Sequence, residues 1–264
     1  MLLEIKDLDV SFRSDDGDVV RAAIDVDLTV DRGDVLGIVG ESGSGKSSVA
    51  MSVARLLPSP PAFYPKGKIL FDGRDTLSMP VSDLRKIRGR KIGVVFQDPM
   101  GSLSPLHRIG DQLVETVRLH EDISVKAAKA MALEWLAKVG ISDPITRASQ
   151  YPHELSGGMQ QRVMIAMALM LEPDLLIADE PTTALDVTIQ KQILKIIKSL
   201  LQSKSAVMLI THDLGVVSQM ASSIAVMKDG RIVERSDDAE EFFNSPRHPY
   251  SQALLGEAKR MEKL

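Results

Sequence analysis

Cysteine is missing altogether from this 264-residue chain. Its absence excludes disulfides, thiolate zinc sites, cysteine-held iron–sulfur clusters and a cysteine nucleophile together, and leaves the chain indifferent to a reducing compartment. Long hydrophobic runs are missing too. The longest uninterrupted apolar stretch is the nine residues 163–171, against the roughly 20 that a helix needs to cross a bilayer, so no helical membrane span is expected. A surplus of positive charge is also lacking: 32 Lys+Arg stand against 36 Asp+Glu, a net charge of -4. Attraction to DNA or RNA phosphates favours a strong basic excess, so no nucleic-acid partner is expected. The opening Met1-Leu2-Leu3-Glu4-Ile5-Lys6-Asp7 places acids inside its apolar stretch and lacks the basic start and long apolar middle of a secretion signal. It reads as the start of a chain that stays in the compartment where it is made.

What is present is ordinary for a folded protein. Hydrophobic residues at 44% and charged residues at 26% exclude disorder and fibrous repeats, and the length suits one large domain or two intimately joined ones. Residues 3–12 alternate apolar and polar, a turn rich in Asp and Gly follows at 14–18, and residues 19–30 alternate again, which predicts antiparallel strands over 1–33. Residues 35–39 run apolar without alternation, as a strand covered on both faces does. Further strands are expected at 68–71, 91–96, 175–178 and 206–210, with helices near 159–171 and 187–203 and a helical insertion between Ile109 and Gly140. Asp229-Gly230 between two apolar runs signals a hairpin. Strands alternating with helices in the last hundred residues argue for a mostly parallel sheet with covering helices.

Gly40-Glu41-Ser42-Gly43-Ser44-Gly45-Lys46-Ser47 matches the phosphate-loop pattern G-x-x-x-x-G-K-[ST], between an expected strand and an expected helix. Its glycines let the backbone curl so that N–H groups face phosphate oxygens, helped by the positive end of the following helix. Lys46 is expected to reach the β and γ phosphates and Ser47 to ligate Mg2+, with Ser48 beside them. Asp179-Glu180 closes the apolar strand at 175–178. A carboxylate there is costly without a purpose: Asp179 suits the acidic partner of Mg2+, and Glu180 suits the base that takes a proton from the attacking water. These segments point to a nucleoside-triphosphate site without separating kinases, helicases, GTPases and transport ATPases.

Leu155-Ser156-Gly157-Gly158-Met159-Gln160-Gln161-Arg162 makes the separation. It resembles the signature sequence of the ATP-binding cassette (ABC) ATPases and lies between the two nucleotide motifs as in that family; physically it is an N-capped helix start with two glycines, a second anion site. The resemblance covers the whole chain and implies an α/β fold, a P-loop NTPase (RecA-like) core with an antiparallel β subdomain and an inserted α-helical subdomain at about 98–160. It also implies roles. Phe12 is similar to the aromatic that stacks on adenine, and Gln97 to the Q-loop glutamine that contacts Mg2+ and the attacking water. Ala184-Leu185-Asp186 resembles the D-loop, and His212 the switch histidine at the γ-phosphate. Ser156, Gly157 and Gly158 then bind the nucleotide of a partner ATPase in a head-to-tail dimer.

Gln97-Asp98-Pro99-Met100-Gly101-Ser102-Leu103-Ser104-Pro105 and the tail containing His248-Pro249-Tyr250 are similar to the peptide/nickel (oligopeptide and dipeptide) importer ATPases, whose C-terminal extension corresponds to about residues 236–264. That resemblance implies a peripheral subunit at the cytoplasmic face of the cell membrane, bound through roughly residues 97–120 to two permease subunits. A second, related ATPase and an extracytoplasmic binding protein complete such importers. Many members carry a cysteine-rich segment proposed to hold an iron–sulfur cluster, which this chain lacks, so the cargo stays open between peptides and nickel or another metal chelate. Met159, Met164, Met167 and Met170 recur at near-helical spacing and read as core packing rather than metal ligands. Two other readings compete. A soluble ABC ATPase acting on ribosomes or DNA usually has two cassettes or a long coiled-coil insertion, and a small-molecule kinase leaves residues 155–162 and His212 unexplained.

Overall fold

The computed structural model describes residues 1–182, 187–200 and 204–261. In chain order its elements begin with β1 (Leu3–Arg13), β2 (Val19–Val30), β3 (Val35–Val39), α1 (Lys46–Val53), β4 (Ala62–Phe71), β5 (Arg74–Asp75) and α2 (Val81–Ile87). Then come β6 (Ile92–Val95), α3 (Pro99–Ser102), α4 (Ile109–Arg118), α5 (Val125–Lys138), α6 (Pro144–Ala148), a 3-10 turn (Pro152–Glu154), α7 (Gly157–Leu169), β7 (Leu175–Asp179) and α8 (Val187–Leu200). The last are β8 (Ala206–Thr211), α9 (Leu214–Met220), β9 (Ser223–Lys228), β10 (Arg231–Ser236), α10 (Ala239–Asn244) and α11 (Pro249–Met261). The chain forms two compact units, one of Met1–Arg85 with the chain from Ala206 onward, the other of Lys86–Ser205.

The first unit holds an antiparallel sheet in the order β2-β1-β4-β5. The apolar positions of β1 that are buried are Leu3, Ile5, Leu8 and Val10, a pattern of two that slips by one residue at Asp7. The backbone absorbs the slip: Asp7 has φ 47°, and the register with β2 shifts between Ile5 and Leu8. A bulge of this kind keeps both halves of the strand facing the core. β4 begins at Ala62, earlier than the expected 68. Pro65 is tolerated since β5 pairs only with Leu70 and Phe71, so over its first residues β4 needs donors on the β1 side alone.

The same unit carries parallel β9, β3 and β8, with β10 added antiparallel to β9 through the Asp229-Gly230 turn. β8 is buried along its whole length and β3 from Leu36 to Val39, which is why these runs show no alternation. Val39 lies in a cluster with Leu214, Val217, Ile224, Val226, Phe242 and Leu255, so the strand that ends at residue 39 is fixed from the α9, α10 and α11 side.

In the second unit β6 and β7 pair in parallel, Ile92 with Leu175 through Val95 with Ala178. Helix α4 buries Ile109, Leu113 and Val117, one turn apart, and α5 buries Ala128, Ala132, Trp135 and Leu136; these stripes pack together. Helical structure continues beyond the expected Gly140 through α6 and the 3-10 turn to α7, whose first residue Gly157 precedes the expected start at 159. Gln112, buried on α4, donates to the carbonyls of Ser104 (3.0 Å) and His107 (2.9 Å) and accepts from the Ser104 N–H (2.9 Å). It closes the loop between α3 and α4. Of the expected helix 187–203, residues 201–203 lie outside the described part.

The cluster around Val39 generates a stability prediction. Phe242 is 1% exposed, and Phe242→Ala should destabilise the chain by about 3–5 kcal/mol, read as a shift of the denaturant midpoint. A change under about 1 kcal/mol would show that α10 is dispensable to the core.

Candidate functional site

The site residues fall in two groups, one on each unit. The first begins where β3 ends. Gly40 has φ 152°, and a Cβ there would collide with the Met227 carbonyl oxygen of β9; at Gly45, φ 99°, it would collide with the Ala22 carbonyl oxygen of β2. No residue but glycine fits either place, and the loop between them bends around Lys46. That lysine is 4% exposed, and its Nζ donates to the carbonyls of Gly40 (2.8 Å) and Glu41 (2.7 Å) and to Ser44 Oγ (3.4 Å). Glu41, Ser42 and Gly43 are exposed, as is Ser47 in the first turn of α1, with half-buried Ser48 following.

Phe12 is half-buried on β1, opposite Val20 and Ala62. His212 is exposed just past the end of β8, and its neighbour Asp213 caps α9 by accepting from the N–H groups of Gly215 (2.8 Å) and Val216 (3.3 Å). One contact was not foreseen: the Tyr250 hydroxyl, at the start of α11, accepts the Glu41 N–H at 3.1 Å.

The second group sits at the ends of β6 and β7. Asp179 is the last residue of β7 and 6% exposed. Glu180 follows with φ 45°, a left-handed conformation that costs an ordinary residue about 1–2 kcal/mol. Gln97, exposed after β6, donates from Nε2 to Glu180 Oε2 at 3.1 Å, so the two residues singled out in separate motifs are joined directly.

The signature segment is built on the same unit. Ser156 is the N-cap of α7 and accepts the Met159 N–H at 3.4 Å. Ser156 and Gly157 are exposed, and a Cβ on Gly157 would meet none of the described residues within 4 Å. Behind them Gln160 donates to the carbonyls of Pro152 (2.8 Å) and Leu155 (3.2 Å), Gln161 to that of Pro181 (2.6 Å), and Arg162 to that of Val139 (2.8 Å) and to Gln192 Oε1 (2.6 Å). Sequence reasoning assigned no task to Gln160 or Gln161; polar side chains buried near the start of an otherwise apolar helix were the available signal. Gln161 ties α7 to the residue after Glu180. Ala184-Leu185-Asp186 lie outside the described residues.

Among the described residues no helix is long and apolar enough to cross a membrane. Residues 24–183 match the model of the family described as ABC transporter. Over 263 residues the chain is 50% identical to the oligopeptide transport ATP-binding protein OppD of Bacillus subtilis (strain 168), covering 99% of this chain and 73% of that one. It is 47% identical to the dipeptide transport ATP-binding protein DppD of the same organism, covering 99% and 78%. Among solved structures it resembles a dimeric ATP-binding cassette in a post-hydrolysis state bound to ADP and Pi, with TM-score 0.79 and 29% identity over 89% of this chain and 98% of that one. With a family model matched over most of the chain and relatives near 50% identical along almost its whole length, this chain belongs to the ABC transporter family as one of its ATPases.

Proposed function

We propose that this chain drives the import of di- or oligopeptides through a membrane permease. The observation that carries the reading is the near 50% identity, over almost the whole chain, to proteins named for oligopeptide and dipeptide transport. In this reading the chain works at the cytoplasmic face of the membrane with two permease subunits, a second ATPase and an extracytoplasmic binding protein. The exposed apolar side chains Met100, Leu106 and Leu119, 69%, 82% and 72% accessible, support the segment near 97–120 as the permease contact, within a helical subdomain at about 98–160. The chain from about 236 onward is the C-terminal extension.

Each candidate residue has a role in hydrolysis. The backbone from Gly40 to Ser48 wraps the phosphates, and Lys46, oriented by the carbonyls of Gly40 and Glu41, reaches the β- and γ-phosphate oxygens. Ser47, Gln97 and Asp179 offer only oxygen ligands, a set that fits Mg2+, which when bound neutralises charge developing on the phosphates. Glu180 takes a proton from water as the water oxygen attacks the γ-phosphorus and ADP leaves. Gln97 holds the Glu180 carboxylate in orientation, His212 donates to the γ-phosphate, and Phe12 stacks on adenine. Ser156, Gly157 and Gly158 meet the nucleotide of the partner ATPase, so that bound ATP closes the pair and hydrolysis lets it reopen.

Three outcomes test this. Glu180→Gln should retain ATP binding and lose at least about a hundredfold in turnover, measured as phosphate release; undiminished turnover would remove Glu180 as base. Lys46→Ala should weaken nucleotide binding by about tenfold or more, read by titration with a fluorescent ATP analogue, and retained affinity would overturn the phosphate-loop assignment. In vesicles holding the chain with its permease and partner ATPase, peptide presented by the binding protein should stimulate hydrolysis; stimulation by a nickel chelate instead would overturn the cargo.

A further inference from the structure

The His248-Pro249-Tyr250 segment has no part in the hydrolysis described above, yet its tyrosine reaches the phosphate loop. We propose that Tyr250 is a positioning residue for that loop, so that the chain beyond β10 sets how tightly this ATPase holds nucleotide. The inference rests on the assignment of Gly40 to Ser47 as the phosphate loop.

The geometry turns on a single peptide unit. The carbonyl of Gly40 and the N–H of Glu41 are its two ends. The Gly40 oxygen accepts from Lys46 Nζ at 2.8 Å, and the Glu41 N–H donates to the Tyr250 hydroxyl at 3.1 Å. The next carbonyl, that of Glu41, accepts from the same ammonium at 2.7 Å. If the Gly40–Glu41 peptide rotates, Tyr250 loses its donor and Lys46 loses an acceptor together. The tyrosine therefore acts on the lysine through the backbone plane between them, without touching phosphate.

An acceptor can fix a peptide only if it is fixed itself, and Tyr250 is. Glu234 of β10 accepts the N–H groups of Arg247 (2.7 Å) and His248 (2.9 Å), and His248 Nδ1 accepts the Tyr250 N–H (3.1 Å). Burial opposes the charge of Glu234, but the Arg247 N–H, the Ser251 hydroxyl and His248 together outweigh it and hold its carboxyl below the usual range. The Lys228 ammonium lies 4.8 Å from the centre of the Tyr250 ring, and Lys228 follows Met227, whose carbonyl closes on Gly40. Leu255, five residues further along α11, joins Phe242 and Val39 in the core cluster. Burial raises the Tyr250 phenol above its ordinary value, so it stays neutral and available as an acceptor throughout the physiological range.

Tyr250→Phe in the full chain tests this, because it keeps the ring against Lys228 and removes the acceptor. Titration with a fluorescent ATP analogue should show about three- to tenfold weaker binding, the range of one lost hydrogen bond. In the assembled ATPase the KM for ATP should rise by the same factor while kcat changes less than about twofold. The thermal midpoint without nucleotide should stay within about 2 °C. A lowered midpoint with unchanged KM would mean that the tyrosine only packs, and would overturn the proposal. With Lys46→Ala measured in parallel, unchanged affinity in Tyr250→Phe alone would overturn the role of Tyr250. Unchanged affinity in both variants would overturn the phosphate-loop assignment and this inference with it.

Discussion

Burying an ammonium group is tolerable only where acceptors surround it, and at Lys46 two of those acceptors are backbone carbonyls. With 4% of the residue exposed, its charge depends on the carbonyls of Gly40 and Glu41, since an unpaired buried charge costs several kcal/mol. Backbone carbonyls turn inward like this only if the chain doubles back on itself, which needs the left-handed Gly40 and Gly45. Those glycines in turn are pressed against carbonyl oxygens of β9 and β2. The loop thus takes its shape from the strands on either side of it, and the strands hold because β3 is sealed between β8 and β9.

That chain of dependence explains why the first unit was largely legible. The phosphate-loop pattern is a fixed spacing of glycine and lysine, so Gly40 to Ser47 stand out in the sequence, and a buried parallel strand needs an unbroken apolar run, so β3 and β8, and β7 of the second unit, were read within a residue or so. The early start of β4 was not legible, because Pro65 signals an interruption unless one knows that its outer side has no ladder to break. The slip at Asp7 was hidden for a related reason: a bulge preserves which face is buried while shifting the period that reveals it.

Contacts between distant segments were the least legible. Gln97 and Glu180 are 83 residues apart and were assigned separately, each by its motif; only the fold joins them through one hydrogen bond. Gln112, Gln160 and Gln161 look like ordinary polar residues on helices, yet all three are buried and spend their amides on loop carbonyls. Tyr250, 209 residues from Glu41, was visible as part of a family-like tail but not as a neighbour of the loop. Periodicity reports what a residue does for its own element, and these six side chains work for another one.

The two glycine-bearing segments are built on opposite logics. Gly40 and Gly45 are demanded by their own chain, since any side chain there would strike backbone. Nothing among the described residues demands Gly157: it is exposed, and a Cβ would meet none of them within 4 Å. A glycine at the first position leaves the helix start bare, which beside an exposed Ser156 cap suits close approach from outside. Behind it the segment is rigid, held by Gln160, Gln161 and Arg162. A surface that is stiff behind and bare in front suits an incoming anion better than it suits internal packing, which supports the reading of Ser156 to Gly158 as the face offered to a partner's nucleotide.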